Sequence, residues 1–128
     1  MNPIALWCTA ALGFLLFGLG ICVSGLRFRS RTLSGGARDP SRLLDKLIRA
    51  HGNTAEFVPF LAVLFLFLGG RSPAASVLWI MVAATASRYL LVAGLVLPRS
   101  MDAPNPLRFV GALGTYGCGI ALCISLLK

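Results

Sequence analysis

With 128 residues, 57% of them apolar and only 12% charged, the chain has more apolar surface than one aqueous core of this size could hide; soluble domains average about 25% charged residues. Its mean hydropathy of +0.83 makes lipid the solvent for most of it. The excess of 12 Lys and Arg over 4 Asp and Glu would suggest nucleic acid in a soluble protein, but seven of the twelve bases fall between Arg27 and Arg49, a pattern that fits an orientation signal and an anion site instead.

The fold expected is an all-α integral membrane bundle of four transmembrane helices in a single domain, residues 1–128. The first apolar stretch has no basic leader and is too long for an ordinary signal-peptide core, so it is read as a retained helix, about Pro3 to Leu26. A basic, Gly/Ser-rich connection from Arg27 to Asp39 follows. The second helix is expected from about Pro40 to Leu68, polar in its first half, and Gly69-Gly70 stops it. The third runs from about Pro73 to Leu97 and ends at Pro98; the fourth runs from about Pro106 to Leu127. The pairs Asn2-Pro3, Asp39-Pro40, Ser72-Pro73 and Asn105-Pro106 each read as an N-cap followed by proline at the first helical position, where the missing N–H costs nothing.

The arginine-rich connection belongs in the cytoplasm by the positive-inside rule, with both termini outside and the Arg99 loop inside. Arg71 and Lys128 are minor exceptions. Small residues in the first and fourth helices, among them Gly111, Gly114 and Gly117, allow close helix approach in lipid. Cys8, Cys22, Cys118 and Cys123 lie in apolar stretches without ligand spacing, so they read as packing residues and no metal site is expected.

The stretch that carries chemistry is RAHGNTAEFVP, residues 49–59. Arg49, Asn53 and Glu56 are spaced i, i+4, i+7 and share one narrow helix face, spanning ~10 Å of axis, close to the length of an extended tripeptide. An ionised Glu56 within an apolar helix needs a partner, and Arg88 on the third helix lies at similar depth. Two readings stand: Glu56 and Arg88 pair only to staple the bundle, or they belong to a ligand site with Arg49 and Asn53. Pro59 should kink the second helix, as a tolerated proline or as a bend that opens space near Glu56. His51, the only histidine, points away from Arg49, toward a neighbouring subunit or the headgroups.

This string resembles the second-helix signature of the MAPEG family, the membrane-associated proteins of eicosanoid and glutathione metabolism: Arg-Ala, then Asn, Glu, an aromatic and Pro at the matching spacing. Ser87-Arg88 with Gly94 is similar to the third-helix pattern of bacterial members, and Arg108 with Gly111 and Thr115 resembles the start of the fourth helix. The resemblance covers essentially the whole chain. It implies a homotrimer of four-helix subunits, with glutathione bound between subunits near the cytoplasmic end, in a bacterial inner membrane. It implies that Arg49, Asn53 and Glu56 bind glutathione, that Arg88 supports them, and that Arg27, with Arg29 as alternative, contacts a tripeptide carboxylate. Arg108 matches the arginine that stabilises the thiolate, though an interfacial anchor is the other reading of that residue. Leu91 and Leu95 depart from the family, since many members are polar at the first position and some have tyrosine at the second.

Charge chemistry agrees with this. Glutathione carries two carboxylates and an ammonium, which Arg27, Arg49, Arg88 and Glu56 complement, and a fixed guanidinium lowers the pKa of a nearby thiol. The expectation is a membrane-bound glutathione transferase or peroxidase that takes glutathione and a lipophilic small molecule as substrates, with no metal and no nucleic acid. The alternatives are a non-catalytic glutathione- or lipid-binding protein on the same scaffold, or a small four-helix transporter. The arginines on and beside the Glu56 face argue against a transporter of cations.

Overall fold

A computed structural model describes residues 1–31, 39 and 41–127. It contains four α-helices: α1 (Pro3–Ser30), α2 (Leu43–Gly69), α3 (Ala75–Val96) and α4 (Pro106–Leu126). Each is long and apolar enough to cross a membrane. No strand occurs among the described residues.

Two of the four Asx/Ser-Pro starts act as read. The Asn2 side chain accepts from the Ile4 amide at 2.9 Å, and that of Asn105 accepts from the Leu107 amide at 2.8 Å, each with proline just inside the helix. The other two differ. Asp39 turns the chain instead of capping α2: its carboxylate accepts from the Ser41 amide at 2.9 Å and hydroxyl at 2.6 Å. That Ser41 hydroxyl bond, with the amide, holds the Asp39 carboxyl below the usual aspartate range. The helix therefore starts at Leu43, with Arg42 as its N-cap. Pro40, expected to open this helix, lies outside the described residues, as does Lys128. Ser72 has a φ of 51° and reverses the chain after α2, which leaves Pro73 before the helix and Ala74 as the α3 N-cap. α1 runs a turn past the expected Leu26, because arginine is a good helix former; it ends where Arg31 adopts the left-handed conformation.

Helix α1 packs mainly on α2, and α3 mainly on α4. Small residues set the α3–α4 approach. A Cβ added at Gly111 would lie 2.8 Å from Leu91 Cα, and one at Gly94 would lie 2.8 Å from Arg108 Cα. A Cβ added at Gly117, expected to act in the same way, would meet nothing within 4 Å.

The interior has two apolar cores. Ala5, Cys8 and Leu12 of α1 meet Val58, Leu61, Leu64, Phe65 and Leu68 of α2 with Met81, Ala84 and Leu122. Toward the Arg27 end, Leu19 and Val23 meet Leu44, Leu47 and Ala50 with Leu91 and Leu95. Between these stretches, on α2 and α3, lie the buried polar residues Thr54, Ser87 and Arg88.

Candidate functional site

Arg88 is fully buried, 0% exposed. Its Nη2 donates to Asn53 Oδ1 at 2.9 Å and lies 3.4 Å from Thr54 Oγ1. Its guanidinium carbon stands 5.3 Å from the centre of the Phe57 ring, within cation–π range. Nε and Nη1 are buried with no hydrogen-bond partner among the described residues. The expected direct pairing of Arg88 with Glu56 is replaced by a relay. Asn53 accepts from Arg88 through its oxygen and donates through Nδ2 to Glu56 Oε2 at 3.5 Å. The reason is orientation: Asn53 is half-buried and turned toward α3, whereas Glu56 is exposed on the outside of the bundle.

Glu56 is the central residue of the 27-residue α2, thirteen positions from either end. Its carboxylate opens onto a groove of about 490 Å³ between α2 and α4, lined by Phe57, Phe60, Leu61, Tyr116 and Ile120 among others. α2 passes through Pro59 without interruption.

Arg49 is exposed one turn before Asn53 and lines a separate cleft of about 260 Å³ with Asp45, Ile48, Gly52 and Met101. Arg108, half-buried in the first turn of α4, lines a cavity of about 630 Å³ formed by the 101–106 loop and α4. Its Nη1 donates to the Met101 carbonyl at 3.0 Å. Met101 thus stands as a shared wall between the Arg49 cleft and the Arg108 cavity. Lys46, 6% exposed, holds the same loop by donating to the Pro98 carbonyl.

The structure brings Asn53, Glu56 and Arg88 into one chain of contacts, sets Arg49 beside it on the same helix, and leaves Arg108 across Met101. Arg27 lies half-buried in the last turn of α1, outside the linings of the Arg49, Glu56 and Arg108 cavities; Arg29 is exposed beside it. His51 opens onto a different groove from Arg49, formed with Leu16, Phe17, Gly20 and Ser24 of α1.

Thr54, Met101 and Tyr116 carry no signal of the site in the sequence, and Phe57 carries one as the aromatic after Glu56 in the string; Met101 reaches the Arg49 cleft from the loop before α4, and Tyr116 reaches the Glu56 groove from α4.

A model of the MAPEG family matches residues 4–128, nearly the whole chain. The chain belongs to the MAPEG family. Comparison with curated proteins and with solved structures returned no match. The family includes glutathione transferases and peroxidases and also non-catalytic members. The four apolar helices and MAPEG membership together make this an integral membrane protein.

Proposed function

We propose that the chain is a membrane-bound glutathione transferase or glutathione-dependent peroxidase acting on lipophilic electrophiles. The observation that carries this is the carboxylate of Glu56 at the middle of α2, where the apolar half of the helix begins. It faces out of the bundle, tied among the described residues only to Asn53, with the buried cation Arg88 behind it. A carboxylate left against lipid at this depth is costly, so its position favours a polar ligand or another subunit over it. Glutathione suits such a site. Its ammonium would pair with Glu56, its amides with Asn53, and its carboxylates with Arg49 and with Arg27 of a neighbouring subunit. Arg88 holds Asn53 in place. The apolar groove that begins at Glu56 gives a lipophilic co-substrate a path from the bilayer to the thiol.

Arg108 is assigned to the thiolate. It sits at the N-terminal end of α4, where the helix dipole adds positive potential. In this reading the chain works as a homotrimer in a bacterial inner membrane, both termini outside and the glutathione site toward the cytoplasm. A non-catalytic binding role is the second reading. Leu91 and Leu95 favour it, being 5% and 2% exposed and packed into the core where many members place polar side chains.

Purified protein decides between these. Glutathione should raise its melting temperature, and it should turn over a panel of hydroperoxides and electrophiles. Stabilisation without turnover supports the second reading. No stabilisation by glutathione sinks the enzyme reading and leaves the second only as lipid binding. Mass measurement of the detergent complex should give three chains.

A further inference from the structure

Tyr116 is the central residue of α4, ten positions from each end of the helix Pro106–Leu126. That places it ~15 Å from either end at 1.5 Å per residue, whereas tyrosines that anchor a helix to a membrane surface gather at the interfaces. Its ring packs on Phe57 with centroids 5.6 Å apart and planes tilted by 51°. Phe57 in turn carries the Arg88 guanidinium on its ring. The phenol is part of the groove that begins at Glu56, and it makes no hydrogen bond among the described residues. Thr115, the other hydroxyl of that lining, already donates to the Gly111 carbonyl at 2.7 Å. Tyr116 is therefore the free hydroxyl donor of a groove that is mostly apolar beyond Glu56, midway along a membrane-spanning helix, where an unpaired polar group is expensive.

We propose that Tyr116 is a catalytic residue that donates a proton to the oxygen of a lipophilic conjugated carbonyl held in the α2–α4 groove. The assignment rests on the reading of the chain as a glutathione-using enzyme and narrows its substrate class. The glutathione thiolate forms a bond to the β-carbon, and the C=C pair shifts so that the electron pair arrives on the carbonyl oxygen. Tyr116 supplies the proton that this oxygen takes, giving an enol that reverts to the ketone or aldehyde. The phenolate recovers a proton from water at the polar end of the groove. Charge develops on oxygen only in the transition state, so the contact acts on the rate of the chemical step more than on binding.

The test compares Tyr116→Phe with the parent on two electrophiles: a long-chain conjugated enone, and benzyl chloride, whose leaving group carries no oxygen. The variant keeps the ring that packs on Phe57, so melting temperature and glutathione affinity should match the parent. The expected result is a fall in kcat of about 100-fold with the enone, typical of a lost general acid, with KM and the benzyl chloride rate within about twofold. An equal loss on both electrophiles, or no loss on either, overturns the assignment. A parent that binds glutathione but conjugates neither electrophile removes the enzymatic reading, and the assignment with it. Should the variant not accumulate, the infrared carbonyl stretch of a conjugated ketone bound to the parent decides. A shift to lower frequency than in bilayer alone supports the hydrogen bond, and an unshifted band rejects it.

Discussion

Arg88 on α3 and Asn53 on α2 are joined by a hydrogen bond of 2.9 Å, the shortest link from the buried cation to the polar face of α2. The bond lies at the level between the two apolar cores, so it locks α2 to α3 where neither core does. It also commits the Asn53 oxygen to the protein and leaves the amide nitrogen pointing at Glu56. Because that nitrogen is 3.5 Å from Glu56 Oε2, a long contact, it can be given up to a ligand at little cost.

Asn53→Ala should therefore lower stability as well as binding. It removes the nearest acceptor of a wholly buried guanidinium, a loss of about 1.5–3 kcal/mol for a charge-assisted bond. Adding Arg88→Met should restore part of the loss, since the orphaned charge is gone and much of the side-chain volume remains. Thermal unfolding of both variants in detergent measures this. If Asn53→Ala melts like the parent, the bond is dispensable to the fold.

Glu56→Gln and Arg49→Ala should weaken glutathione binding without that stability loss. Glu56 and Arg49 are both exposed, and neither forms an ion pair among the described residues. Each charge-assisted contact is worth about 1.5–3 kcal/mol, an affinity loss of about 10- to 150-fold. Calorimetric titration with glutathione reads it directly. If Glu56→Gln lowered the melting temperature and left affinity unchanged, Glu56 would serve the bundle and not the ligand.

The helices and the polar face of α2 were legible because hydrophobic runs and i, i+4, i+7 spacing are local properties of the chain. The N-cap of α3 was not, because Ser72 takes a left-handed conformation that a serine-proline pair does not announce, and Ala74 caps the helix instead. The relay from Arg88 through Asn53 was also hidden. Sequence places Arg88 and Glu56 at like depth, but only the packing angle of α3 against α2 decides which oxygen the guanidinium reaches. Likewise Arg49 and Arg108 looked like members of one site, and Met101 between their cavities became visible only once the 101–106 loop was folded back on α4.

The orientation expected from the arginines has a direct check. In a background without the native cysteines, Asp102→Cys, in the loop between α3 and α4, should react with an impermeant thiol reagent only after the cells are opened. Ser72→Cys, in the turn between α2 and α3, should react in intact cells. Both side chains are exposed, so reactivity reports sidedness and not burial. Labelling of position 102 from outside would invert the topology.

Gly94→Ala should disturb the site through the backbone. The added Cβ would lie 2.8 Å from Arg108 Cα, and a backbone neighbour cannot yield as a flexible side-chain tip would. The helices must part at this crossing, at a cost of about 1–3 kcal/mol for overpacking. Arg108 is carried on the displaced turn, so turnover should fall beyond what lost stability explains. Activity per folded molecule, measured well below the melting temperature, separates the two effects. Unchanged specific activity would detach Arg108 from the chemistry.

Arg108 itself gives the sharpest test of the proposed mechanism. Its guanidinium donates to the Met101 carbonyl at 3.0 Å and so holds the loop that walls off the Arg49 cleft. Asn105 caps the helix through the Leu107 and Arg108 amides, so the α4 terminus does not depend on the Arg108 side chain. Arg108→Ala should therefore leave α4 intact and glutathione affinity nearly unchanged. The loss should appear in kcat, because the contact matters most once the sulfur is charged. Arg108→Lys keeps a point charge but loses the planar fork, and should recover part of the rate. The ultraviolet band of bound thiolate gives a second reading: it should shrink in Arg108→Ala and partly return in Arg108→Lys. If the alanine variant binds glutathione and keeps the parent's thiolate band and turnover, Arg108 only anchors the loop before α4, and the thiolate must be stabilised by another group.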